Sequence, residues 1–146
     1  MSSSYGNNNE KSLTSLKMTI KGDIELHEEF EHHGKIIGNV NSSERITLKD
    51  NATIEGNVRV ESLLLETGKI TGDIVCQSKI ETLAESKVVG NVSVVSALVS
   101  GKIEGNVKVS DALHLSSSSE IVGDVEAGQL EVEAGARIKG FITIKG

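Results

Sequence analysis

The chain has no proline and no tryptophan, one cysteine, one tyrosine and two phenylalanines in 146 residues. Without proline, and with 15 glycines, its turns must be built by glycine together with asparagine or aspartate. The single Cys76 excludes an intramolecular disulfide. Aromatic residues are 2% of the sequence, so the ring volume that usually fills the centre of a compact domain is missing. Val, Ile and Leu dominate the apolar content, which suits a narrow interior of stacked branched side chains. No run approaches the ~18 apolar residues of a membrane span, and MSSSYGNNNEKS has no secretory apolar core. The formal charge is −6 with both signs interspersed. A nucleic-acid footprint would need a clustered basic face and stacking aromatics, so no nucleic-acid partner is expected. A soluble cytoplasmic chain of one-domain size is the expectation.

What the chain does have is repetition. ATIEGNV at 52–58 returns as GKITGDI (68–74), SKVVGNV (86–92), GKIEGNV (101–107), SEIVGDV (119–125) and ARIKGFI (136–142); earlier copies are MTIKGDI (18–24) and GKIIGNV (34–40). The glycines fall at 22, 38, 56, 72, 90, 105, 123 and 140, giving gaps of 16, 18, 16, 18, 15, 18 and 17. A fixed period marks a repeat architecture, and this one is too short for helical repeats. Within a repeat, Ala52 and Ile54, Val58 and Val60, and Leu63 and Leu65 alternate with polar residues, so each repeat reads as three short strands. Three strands joined by corners make one coil of an all-β, three-sided parallel β-helix (a β-solenoid), with about eight coils of ~17 residues.

The third strand is read at Phe30, Ile46 and Leu48, Leu83, Leu98, Leu113 and Leu115, and Leu130 and Val132. On that reading the corner between the Val strand and the third strand absorbs the length differences. The stacking predicts inward Ile and Val columns, small residues (Ala52, Ser86, Ser119) at a tight corner, and glycines where φ is positive. Asn39, Asn57, Asn91 and Asn106 are placed to form a hydrogen-bonding ladder. Residues 1–17 are polar and read as a disordered tail, with Leu13 and Leu16 able to fold back; residues 18–146 are the β-helix domain.

Candidate chemistry is thin. HEEFEHH (27–33) has the atoms of a metal site but reads as a solvated loop around one core residue, Phe30. His114, between Leu113 and Leu115, points outward, with Val99 and Glu131 expected one coil away. Cys76 takes an inward slot as a small buried hydrophobe. No nucleotide-binding glycine pattern occurs. No catalytic, cofactor or metal site is expected, and the chain does not read as an enzyme.

The ends are more informative. ARIKGFITIKG is a sound coil start without a polar lid, and MTIKGDIEL begins at full repeat quality. A terminal coil exposes unpaired backbone groups beside an open core, which invites end-to-end pairing. Contacts through both ends propagate into a filament. The candidate polymerisation interface is Met18, Ile20, Ile24, Leu26 and Phe30 at one end and Ile138, Phe141, Ile142 and Ile144 at the other.

The recurrent I-x-G-[ND]-[VI], with a small residue two before the Ile, resembles the bactofilin family over residues 18–146. The resemblance implies a right-handed parallel β-helix in a bacterial cytoskeletal polymer that assembles without nucleotide. It implies roles in cell shape, cell-wall enzyme placement or motility, and it assigns a polymerisation role to a terminal Phe, here Phe141. The implied partners are the chain itself, a paralogous subunit, and cell-wall, motility or membrane proteins, with a location at the inner face of the membrane reached through them. Many members carry a hydrophobic or basic membrane-targeting peptide. The tail here offers only Tyr5, Leu13 and Leu16, which argues against direct membrane binding. Two rival readings remain: an oligomeric adaptor docking partners on lateral faces through Ile37, Val89 and Val122, and an acyltransferase on a left-handed hexapeptide helix. The irregular period disfavours the second.

Overall fold

The computed structural model describes residues 19–27, 30–32 (backbone only) and 34–145. The tail, its Leu13 and Leu16, and Met18 lie outside the described residues. Within them the chain forms seventeen strands and no helix. Strands pair in parallel with the strand one coil away, as in Ile36↔Ile54, Val40↔Val58 and Ile46↔Leu63. Lys35–Ile37, Val40–Ser42 and Arg45–Leu48 are the first, second and third sides of one coil. Stacking gives seven complete coils, then Arg137–Lys139 and Ile142–Ile144 as two sides of an eighth. This is the expected three-sided β-solenoid, roughly 35 Å long at the usual inter-strand rise.

The alternation along each strand fixes what is inside. Ile36, Ile54, Ile70, Val88, Ile103 and Ile121 form one dry column, each 0–1% exposed. Val40, Val58, Ile74, Val92, Val107 and Val125 form the second, at 0–2%. Burying one such side chain fully is worth about 1.5–3 kcal/mol, so the columns supply the driving force that aromatics supply elsewhere.

On the third side the structure corrects two assignments. Ile80 (0% exposed) and Thr82 (1%) face inward, not Leu83, while Ala97 (5%) and Val99 (0%) face inward, not Leu98. Leu98 lies in the outward column between Glu81 and His114. Residues 80 and 83 have opposite parity on a strand, so burying Leu83 would have turned Ile80 out. Turning Leu98 inward would likewise have lost Val99. Thr82 therefore carries a hydroxyl into the core between Leu65 and Val99, where it accepts the Ser100 N–H at 3.4 Å.

The register also moves the variable corner. From Val to the last inward residue of the third side is seven or eight residues (Val58 to Leu65, Val107 to Leu115). From there to the next Ile is four at Val99–Ile103 and six at Leu115–Ile121. The corner leading back to the first side thus absorbs at least as much of the variation as the one that was expected to. Its longer copies close with turns, Ala52 N–H to Lys49 C=O (3.1 Å), Ser119 to Ser116 (3.0 Å) and Ala136 to Glu133 (3.2 Å). In the first of these, Asp50 (φ 55°) and Asn51 (φ 61°) adopt the left-handed conformation that Asp and Asn tolerate best. The small slots follow the same logic: Ser86 Oγ donates to Leu83 C=O (2.6 Å) and Ser119 Oγ to Ser116 C=O (2.7 Å).

The remaining corner is nearly invariant. Its glycines have φ between 129° and 158°, and from Gly38 onward a Cβ would overlap the carbonyl of the glycine one coil earlier. The next residue extends the expected ladder to every coil. Asp23 Oδ1 accepts the Asn39 N–H (3.0 Å), Asn39 accepts from Asn57 (2.9 Å), and the chain continues through Asp73, Asn91, Asn106 and Asp124 to the Phe141 N–H (3.1 Å). Asp and Asn are interchangeable here because only the side-chain oxygen is used.

Candidate assembly interface

Cys76 is 3% exposed in the slot between Val60 and Val94, and burial, aided by the nearby Glu61 carboxylate, pushes its thiol up to about 12. A thiol held that high is an inert hydrophobe at neutral pH. Of HEEFEHH, His27 is exposed near Glu25 (3.9 Å), while Glu28, Glu29 and His33 and the side chains of residues 30–32 lie outside the described residues. Among the described residues no group of three or more His, Cys, Asp or Glu is placed to hold a metal.

His114 has richer surroundings than the sequence suggested. The register places Leu98, rather than Val99, on one side of it and Glu131 on the other. Its Nδ1 lies 2.9 Å from Glu131 Oε1 and its Nε2 2.9 Å from Glu133 Oε2. Both ring nitrogens face carboxylate oxygens, an arrangement that favours the doubly protonated ring, and the hydrogen bonds to Glu133 and then Glu131 raise its pKa above the usual histidine value. Glu133 was invisible to sequence reasoning because its link to His114 spans 19 residues. Its geometry is that of a clamp between two coils.

The two ends of the solenoid are where the repeat is left incomplete. Inside the rod, each corner glycine N–H donates to the coil that follows, from Gly22 to Ile37 C=O (2.8 Å) through Gly123 to Lys139 C=O (3.0 Å). Gly140 has no such acceptor among the described residues, and the parallel series Ile24 to Asn39 through Val125 to Phe141 stops at Ile142. Arg137–Lys139, Ile142–Ile144 and the Leu130–Val132 part of Val125–Val132 are therefore open parallel edges. Core positions open with them. Ile142 is 46% and Ile144 50% exposed, where Val125 and Ala127, one coil earlier, are 1%. Ile138 is half-buried against the core.

Phe141 is 80% exposed and occupies the ladder position. It accepts nothing from a following coil, since it has no side-chain oxygen, and so ends the ladder with a ring where seven coils offer a polar acceptor. At the opposite end Ile20, Ile24 and Leu26 are half-buried, and the Phe30 backbone pairs with Ile46. Apart from Met18, which lies outside the described residues, the residues named from the sequence fall in the two terminal coils, Phe30 by its backbone. Sequence reasoning missed Val132 (47% exposed) and Leu130. Their signal was available: as third-side residues of the seventh coil, they need an eighth third side to cover them, and the described chain supplies none.

Comparison with known proteins fits this geometry. A family model described as "Bactofilin: Polymer-forming cytoskeletal" matches residues 12–94 and again 67–143, the overlap reflecting the internal repeat. No curated protein and no solved structure matches the chain. Two matches of a polymer-forming model, spanning nearly all of a parallel β-solenoid, settle the kinship: the chain belongs to the bactofilin family of polymer-forming cytoskeletal proteins.

Proposed function

We propose that this bactofilin is a scaffold whose filaments grow, without nucleotide, by contact between terminal coils. The observation that carries the reading is the last described coil: backbone donors at Gly140 and Ile142 without an acceptor among the described residues, beside half-exposed Ile142 and Ile144, with Phe141 projecting at 80% exposure. Docking on a second copy satisfies the donors and removes the aliphatic side chains and the ring from water, all three contributions acting in the same direction. At the other end Ile20, Ile24 and Leu26 offer the smaller apolar surface, and engagement of both ends propagates the polymer. Such a scaffold suits the family's roles in cell shape, cell-wall enzyme placement or motility, acting inside the cell with partners along its sides.

Negative-stain electron microscopy of the purified chain, without added nucleotide or metal, tests this. Filaments from the parent, reduced to short particles by Phe141→Arg, are the expected result. Uniform small particles from both proteins would replace the polymer by the oligomeric adaptor, and filaments from both would remove Phe141 from the interface.

A further inference from the structure

Along the sequence the charges alternate in sign, but the coil register sorts them. The outward position before the core Ile forms one column running the length of the first side, in which Lys35, Lys69, Lys87, Lys102 and Arg137 are joined by a single acid, Glu120. The outward position after the Ile forms a second column. It carries Lys21 and Lys139 near the two ends, Glu55 and Glu104 between them, and the aliphatic Ile37, Val89 and Val122. Seven cations face three carboxylates, so this side is net +4 on a chain that is −6. The corner carboxylates of Asp23, Asp73 and Asp124 border it, but each turns its Oδ1 along the axis to accept an N–H of the next coil.

We propose that the first side is a binding face for an anionic lipid surface, separate from the ends at which the coils assemble. Its eight strands pair in register, so the basic side chains project from one sheet toward a planar array of headgroup phosphates. There Lys35, Lys87, Lys102 and Lys139 exchange exposed ion pairs to Glu55, Glu104 and Glu120 (3.3–3.6 Å) for phosphate. Between them Ile37, Val89 and Val122 supply aliphatic contacts that gain by entering the headgroup region, as the apolar residues of interfacial elements do. The occupant is not another copy of the chain meeting this side face to face. The outward positions of the second side balance, with Glu25 and Glu126 against Arg59 and Lys108. Those of the third side carry no acidic excess among the described side chains, with Glu81 and Glu131 against Arg45, Lys79 and the His114 ring. Neither offers a complementary acidic field. Nucleic acid is disfavoured because a broad sheet does not enter a groove and the face has no aromatic on which a base could stack. Membrane contact through a lateral face also differs from targeting by a terminal peptide, which the tail of this chain does not resemble.

The test is flotation of the full chain with vesicles of phosphatidylcholine alone and of phosphatidylcholine with phosphatidylglycerol. The parent should float with the anionic vesicles only, and added salt should release it. Lys69→Glu/Lys87→Glu/Arg137→Glu should cut the bound fraction ~10-fold or more, while Arg45→Glu/Lys79→Glu/Lys108→Glu, the same charge change on the other sides, should leave most of it. Circular dichroism confirms that both triple variants keep the β-solenoid. Equal losses from the two triples, or flotation on neutral vesicles, would overturn the proposal. So would a gel shift of duplex DNA by a parent that ignores both vesicles.

Discussion

At the scale of the residue, the corner glycine shows how stacking constrains a single atom. Gly90 has φ of 147°, and a Cβ there would overlap the Gly72 carbonyl, whereas Gly22, at φ 129°, has nothing within 4 Å of that position. Both substitutions strain the backbone, but only the interior one also forces two coils apart. Gly90→Ala is expected to cost about 2–4 kcal/mol and Gly22→Ala about 1–2 kcal/mol, read from urea unfolding midpoints. Equal losses would mean that backbone conformation alone, and not the approach of neighbouring coils, selects glycine. Cys76 makes the complementary point: its neighbours in the column are valines, and its thiol is used only for its volume.

At the scale of the element, the third side is the least regular and the most informative. Its strand at Lys79–Thr82 buries a threonine, and its outward column carries the His114 clamp that joins the sixth coil to Glu131 and Glu133 of the seventh. The raised pKa of His114 makes that clamp pH-dependent, and the sign follows from linkage. A group whose folded pKa lies above its unfolded value contributes fully below the unfolded value, near 6.5, and loses that contribution as pH rises through the folded one. Above it, a neutral ring leaves Glu131 and Glu133 facing each other without a cation between them. Thermal midpoints of the parent should therefore fall, relative to His114→Gln, as pH rises above the unfolded value near 6.5. The change should be small because all three groups are open to solvent. Parallel pH profiles for the two proteins would show that the clamp contributes nothing.

At the scale of the whole molecule, the rod is quasi-one-dimensional, since each coil touches only its neighbours. Among the described residues, interior coils are covered on both faces and terminal coils on one, so local stability is expected to fall toward the ends. Amide hydrogen exchange of dispersed Phe141→Arg should be fastest in Thr19–Lys21, Ile24–Leu26, Arg137–Lys139 and Ile142–Ile144, and slowest in the middle coils. In parent filaments the terminal strands should slow toward the interior rate, because docking supplies the missing neighbour. Terminal strands that remain fast in filaments would place the assembly contacts on the sides of the rod. The same one-dimensionality is what turns a lysine recurring at one repeat position into a basic column.

Much of this was legible without coordinates. The eight copies of [IV]-x-G, seven of them followed by Asn or Asp, determined the solenoid, its period, the inward Ile and Val columns, the glycine corner and the side-chain ladder, because each follows from a local pattern repeated in place. The final described coil was legible for the same reason: ARIKGFITIKG reads as another repeat. Only the tertiary structure decided which parity the third side takes, burying Ile80 and Thr82 and turning Leu98 out. It also decided that the corner back to the first side would carry so much of the length variation, that His114 would reach Glu133, and that charges interspersed along the chain would gather on one side. These are properties of register between coils, set by the whole stack at once, and a strand of three residues cannot encode its own register.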